Sequence, residues 1–150
     1  MKPLVPPPII ALALIGAMYV LAARLDVLAF EFRGRETLAA ALFLGGFLID
    51  AVSVAAFLRA RTTVTPLAPS RSAKLVTDGL YRFSRNPMYA GMLLMLIAAF
   101  LWFGEGLNAA LAALFVVILN EAQIKPEEKA LEEKFGDDYR AYKTRVRRWI

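Results

Sequence analysis

The residues able to do chemistry in this chain fall in two places. One is the run Tyr81 to Gly91, which carries Arg82, Arg85, Asn86 and Tyr89; the other is the pair Glu127-Glu128 directly after Pro126. Adjacent carboxylates beside an apolar face need a partner. That partner is either a nearby arginine, Arg82 or Arg85, or a cationic ligand or the hydroxyls of a nucleoside. The chain has no Cys and no His, which excludes thiolate nucleophiles, imidazole bases, disulfides and Cys/His zinc sites. Only carboxylates and tyrosines are left to take a proton.

The acidic pair opens the C-terminal tail. Pro126 suits the first position of a helix, the two acids meet the positive end of its dipole, and Gly136 stops it. On a wheel of about 100° per residue with Glu127 at zero, Leu131 falls at about 40°, Phe135 at about 80° and Glu133 at about 240°. Glu127 and Glu128 therefore flank the apolar face and Glu133 points away. A second helix opened by Asp137-Asp138 places Tyr139, Tyr142, Val146 and Trp149 along one stripe. Such a tail reads as a basic amphipathic helix in the headgroup layer, with Trp149 and the tyrosines as anchors and Arg145, Arg147 and Arg148 drawn to anionic lipid.

The rest of the chain must hold these two clusters. Of 150 residues, 59% are hydrophobic and 21% charged, and the mean hydropathy is +0.53, which is high for a soluble domain. Apolar runs occupy 5–23, 37–58, 88–103 and 107–124. The second, at about 1.5 Å per residue, reaches roughly 33 Å and can cross a hydrocarbon core of about 30 Å. The last two are separated by Gly104-Glu105-Gly106 and read as a helical hairpin. The first reads as a span rather than a signal peptide, because Lys2 is a thin basic region and prolines precede the run. The fold class is therefore all-α integral membrane: one domain of four transmembrane helices with a cytoplasmic C-terminal helical tail.

The formal net charge is +5, but the basic residues adjoin apolar runs, which points to a membrane surface and not to nucleic acid. The loop 59–87 holds Arg59, Arg61, Arg71, Lys74, Arg82 and Arg85 against Asp78 alone, and the tail 126–150 is also basic. The first connection is balanced and the hairpin tip has no basic residue. The loop, the tail and both termini are thus expected on the cytoplasmic side. The loop is long for a connector and mixes Pro66, Pro69, Ser70, Ser72 and Gly79, and loops of such length are often functional.

The order Gly79-Leu-Tyr-Arg-Phe-Ser-Arg-Asn-Pro-Met-Tyr-Ala-Gly91, a short hairpin, Pro126-Glu127-Glu128, Phe135-Gly136 and Arg148-Trp149 resembles the isoprenylcysteine carboxyl methyltransferases and their relatives, the phospholipid methyltransferases. The resemblance covers 76–150, about half of the chain. It implies an integral-membrane enzyme that binds S-adenosylmethionine between the inner helix ends and the tail, and takes a lipophilic acceptor from the bilayer. Carried over, the cofactor site comprises Tyr81, Arg85, Asn86, Pro87, Tyr89, Gly91, Glu127 and Glu128, with Arg85, Glu127 and Glu128 as catalytic candidates. Much of the family has His where this chain has Asn86. With no imidazole, the chemistry suggests an acceptor that is already anionic, a carboxylate or thiolate; an amine would have to lose its proton to a carboxylate or a tyrosine.

Two other readings stand beside this one: a membrane reductase of related architecture using NADPH, and a non-catalytic scaffold. Pro87 and Gly91 could equally shape the start of the third span, Gly91 by admitting a close helix neighbour. Tyr81 and Tyr89 could be interfacial residues. Asp50 inside the second span is either a polar contact to another helix or part of an acceptor pocket. Asn120 and Glu121 lie where they could approach the cofactor or the headgroups, and Met18, Met92 and Met95 read as packing or lipid-facing residues.

Overall fold

The computed structural model describes residues 5–25, 27–60 and 75–150. The described residues form α1 (Pro7–Arg24), α2 (Arg35–Arg59), a 3₁₀ turn (Gly79–Arg82), α3 (Pro87–Phe103), α4 (Asn108–Ile118), a π-helical segment (Leu119–Ile124), α5 (Lys125–Phe135) and α6 (Asp137–Arg145). No strand occurs among them, only an isolated bridge between Ala29 and Glu105. Residues 61–74 of the loop expected at 59–87, with Arg61, Pro66, Pro69, Ser70, Arg71, Ser72 and Lys74, lie outside the described residues.

The four apolar runs are helical, as expected. Three helices are long and apolar enough to cross a membrane: α1, α2 and the continuous helix Asn108–Phe135, while α3 is apolar but shorter. The protein is thus an all-α membrane protein. A helix of 28 residues is about 42 Å long, more than the roughly 30 Å of a hydrocarbon core. Its apolar part ends at Ile124, and the charged turns of α5 project beyond the membrane-spanning segment.

That continuity differs from the helix start expected at Pro126. Proline lacks the N–H for an α-helical bond, and its ring collides with the carbonyl four residues back. The chain accommodates it by widening into a π turn, in which the Lys125 N–H bonds to Asn120 O. Pro126 then sits in the first turn of α5 without breaking the rod.

α3 runs antiparallel along α2, and the register can be read from end to end. At one end the Arg35 guanidinium, only 9% exposed, donates to the carbonyls of Leu101 and Trp102 and so caps the end of α3. In the middle Gly46 meets Gly91: a Cβ on Gly46 would stand 2.6 Å from Gly91 O, and one on Gly91 would stand 2.8 Å from Gly46 O. At the other end the Phe57 and Tyr81 rings meet edge to face, with centroids 5.3 Å apart. Close backbone approach of this kind is how helices associate in lipid, where apolar burial alone gives little.

α1 and α4 complete the packing through a cluster that includes Met18, Leu96, Phe115, Leu119 and Ile124. Met18 and Met92 are buried packing residues. The first connection and the hairpin tip lie at the same end, joined by Phe30 N to Gly104 O at 2.8 Å and by Gly106 N to Leu28 O at 2.9 Å. Buried Glu105 locks this end by accepting from the N–H groups of Leu28 and Leu107.

Candidate functional site

At the end of the bundle opposite the hairpin tip, the 3₁₀ turn, the start of α3, α5 and the chain that follows α6 converge. Asn86 precedes α3 and Pro87 fills its first position, where the missing N–H costs nothing. The Ser84 hydroxyl accepts from the Asn86 N–H at 3.0 Å, which fixes the entry of the chain. These local features aim Arg85 and Tyr89 at α5.

Arg85 Nη2 donates to Glu128 Oε1 at 2.7 Å, with both side chains about nine-tenths buried. Its Nη1 donates to the Lys143 carbonyl at 3.3 Å, and its backbone N–H to the Arg147 carbonyl at 2.9 Å. Glu128 is also held from the tail: Arg148 donates from Nε at 3.0 Å and from Nη2 at 2.7 Å to its two oxygens. Burial alone would raise the Glu128 carboxyl, but the Arg148 hydrogen bonds and the Arg85 charge outweigh it and hold the group below its ordinary range. Glu128 is therefore an anion satisfied from within the protein. Arg82 takes no part, being exposed and 3.8 Å from Asp78.

Glu127 is different. It accepts a bifurcated hydrogen bond from the Tyr89 hydroxyl, 2.8 and 3.0 Å to its two oxygens, and another from Gln123 Nε2. Both donors are neutral, and no ion pair reaches Glu127 among the described residues. Burial pushes its carboxyl up to about 7, against the lowering effect of the Gln123 and Tyr89 hydrogen bonds. The side chains of Glu127 and Glu128 thus share a helix edge but have opposite electrostatic circumstances. Glu133 is exposed and points away, as the wheel predicts.

Tyr81 lies against this cluster, 5% exposed, with its carbonyl accepting from the Tyr142 hydroxyl at 2.7 Å. Its own hydroxyl shares a hydrogen bond with Ser53 and feels the charges of Glu127 and Asp50. Burial holds the Tyr81 phenol above its ordinary range, so it is a neutral donor. Burial also pushes the Tyr142 hydroxyl up to about 12. Asn86 Nδ2 donates to the Arg148 carbonyl at 2.9 Å; its side chain ties the motif to the tail.

The structure thus brings Tyr81, Arg85, Asn86, Tyr89, Glu127 and Glu128 into one cluster. Pro87 acts through the helix start. Gly91 lies one turn further along α3, packed against Gly46 and the Asp50 carboxyl. The anchoring expected of the tail is corrected in three respects. Tyr139 and Tyr142 are buried in a small core with Val146, Leu131 and Phe135; Arg148 is spent on Glu128; and the helix ends at Arg145, with Val146 extended. Trp149 instead turns back, its indole N–H donating to Asn120 Oδ1 at 3.2 Å. Gln123 was not anticipated, although its position one turn before Glu127 is the signal that could have found it. Among the described residues no acidic group cluster fit for a metal ion occurs.

Comparison with known proteins matches this arrangement to a family. The family model for phospholipid methyltransferases matches residues 35–138. An uncharacterized protein of Haemophilus influenzae is 48% identical over 63 residues, 42% of this chain and 100% of that one. The protein-S-isoprenylcysteine O-methyltransferase of Schizosaccharomyces pombe is 32% identical over 72 residues, 48% of this chain and 30% of its own length. Methanethiol S-methyltransferase 1 of Bradyrhizobium diazoefficiens is 38% identical over 71 residues, 47% of this chain and 24% of its own. The match therefore spans less than a third of either named enzyme. No solved structure matches. With its model matched over well more than half of the chain, from the start of α2 into α6, the protein belongs to the phospholipid methyltransferase family.

Proposed function

We propose that the protein transfers a methyl group from S-adenosylmethionine to a lipophilic acceptor drawn from the bilayer, with four helices crossing and the site on the cytoplasmic side, where the basic excess lies. The observation that carries this reading is the pairing of the two motifs: Arg85 with Glu128, and Tyr89 with Glu127. The first pair is a closed ion pair that sets the frame. The second leaves a carboxylate with neutral donors only, which suits a cation or a ribose diol.

The residues present fit the cofactor. Glu127, oriented by Tyr89 and Gln123, would receive its positive charge or its hydroxyls, and the aromatic faces of Tyr81 and Tyr89 suit a sulfonium. Arg85 keeps a buried Nε donor without a partner among the described residues, which would suit a carboxylate. The bound cofactor supplies an activated methyl group, so no covalent nucleophile is required of the protein. Its tasks are to align the reactants and exclude water, and alignment alone is worth up to about 7–11 kcal/mol.

Calorimetry of the protein in lipid nanodiscs, titrated with S-adenosylmethionine and separately with NADPH, tests the reading. Saturable binding of the methyl donor alone supports it. Binding of NADPH alone selects the reductase, and binding of neither selects the scaffold.

A further inference from the structure

Asp50 is an acid that the cofactor site does not use. It lies on α2 nine residues before Arg59, about 14 Å in from that end of the helix, on the face that meets α3. Its Oδ1 is buried and has no hydrogen-bond partner among the described residues. The space it fills exists because residue 91 is glycine: a Cβ there would overlap the Asp50 carboxyl. Ser53, the nearest polar side chain on α2, donates instead to Ile49 O at 2.7 Å and shares its other hydrogen bond with Tyr81. No cation reaches Asp50 among the described residues.

An unpaired carboxylate within an apolar span costs several kcal/mol, so its place next to the site calls for something that neutralises it. Tyr81 feels the charges of both Asp50 and Glu127, which puts the two acids at the same end of the bundle. Asp50 is the deeper of the two: it meets α3 at Gly91, two residues further into the span than Tyr89, whose hydroxyl holds Glu127. The deeper acid therefore lies nearer the hydrocarbon from which a lipophilic acceptor would arrive.

Resting on the methyl-transfer reading, we propose that Asp50 is a catalytic residue that receives the proton of the acceptor, and that the site therefore takes a nucleophile that arrives with a proton on nitrogen or sulfur, not one that is already a carboxylate. The balance is simple. The acceptor's N–H or S–H bond breaks and an O–H bond forms on Asp50; the freed electron pair bonds to the methyl carbon. The S–CH₃ bond breaks with its pair going to sulfur, which leaves as a neutral thioether. This reverses the expectation that a chain without imidazole favours an anionic acceptor.

The test uses the full chain in phosphatidylcholine nanodiscs with methyl-labelled S-adenosylmethionine and three acceptors of equal chain length: hexadecylamine, hexadecanethiol and hexadecanoate. The wild type is expected to methylate the amine or the thiol at least tenfold faster than the carboxylate. Asp50→Asn should lower that rate about 100-fold or more with cofactor affinity within about twofold of wild type, and Asp50→Glu should restore part of it. Asp50→Ser is the second variant, and retained cofactor affinity is the control for folding in both. The proposal is overturned if Asp50→Asn keeps its rate, if hexadecanoate is the preferred acceptor, or if a wild type that binds cofactor turns over none of the three. It is overturned too if both the Asn and Ser variants lose cofactor binding, which would assign Asp50 to the cofactor. A wild type that binds no S-adenosylmethionine refutes the methyl-transfer reading instead.

Discussion

Arg85 and Glu128, 43 positions apart in the chain, meet at 2.7 Å and are both about nine-tenths buried. That contact makes a single site of two motifs that the sequence presents separately, one before α3 and one after the apolar part of the last long helix. Removing one member of a buried ion pair costs about 3–5 kcal/mol, because the other is stranded. Arg148 remains to hold Glu128 here, so Arg85→Ala should cost less, about 2 kcal/mol, measured as a fall in thermal stability in nanodiscs. Cofactor affinity should fall with it. Arg148→Ala should cost a similar amount, and the double variant more than the sum of the two.

Glu127→Gln should behave in the opposite way. Its donors are neutral and burial disfavours its ionised form, so the fold should lose no stability at neutral pH, while affinity for S-adenosylmethionine falls at least tenfold. Glu133→Gln, on the exposed side, should change neither. Calorimetry of the three proteins under one set of conditions checks this.

The pH dependence follows from the same residue. The Glu127 carboxyl is raised to about 7 from 4.5 by burial, and a cation binds its ionised form. Cofactor affinity should therefore rise with pH up to about 7 and level off above it, and Glu127→Gln should flatten the profile. For stability the sign is reversed: the folded state holds this proton more tightly than the unfolded chain, so the contribution of Glu127 to stability falls as pH rises from about 4.5 to about 7. Affinity profiles and thermal melts across that window separate the two effects.

Much of the fold was legible in the sequence because apolar runs, a Gly-Glu-Gly breaker and Pro87 are local signals with local causes. The wheel placed Glu127 and Glu128 on the inner edge of α5 and Glu133 on the outer, and both hold. What could not be read is what depends on distant partners or on departures from 100° per residue. The π turn at Leu119–Ile124 carries the helix through Pro126, which a local rule treats as a start. That Tyr139, Tyr142 and Val146 share one stripe was legible, but not that the stripe is buried against Leu131 and Phe135 instead of anchoring in the headgroup layer. Its continuation to Trp149 was not, since Val146 leaves the helix so that the Arg147 carbonyl can accept from the Arg85 N–H. Nothing local tells that Arg148 closes on Glu128 rather than on lipid.

Gly91→Ala tests the α2–α3 interface. The added methyl meets the Gly46 carbonyl and the Asp50 carboxyl together, and neither backbone can give way without parting the helices. Overpacking of this kind costs about 1–3 kcal/mol. The melting temperature should fall accordingly, and the rate of methyl transfer should fall more than cofactor affinity, because Asp50 is displaced while Glu127 is not.

Tyr142→Phe removes the hydroxyl that donates to the Tyr81 carbonyl at 2.7 Å and leaves that acceptor buried and unpaired. A loss of about 1–3 kcal/mol is expected, seen as a lower melting temperature, together with a weaker cofactor complex because the turn holding Tyr81 and Arg85 loosens.

The central claim, that the stretch entering α3 and the acidic turns of α5 form one cofactor site, is tested most directly by irradiating the protein with labelled S-adenosylmethionine and mapping the crosslinked peptides. Label in the peptides containing Tyr81 to Gly91 and Gln123 to Glu128, suppressed by excess unlabelled cofactor, is the predicted result. Label confined to the hairpin tip at Gly104 to Gly106, or label that excess cofactor does not suppress, would contradict it.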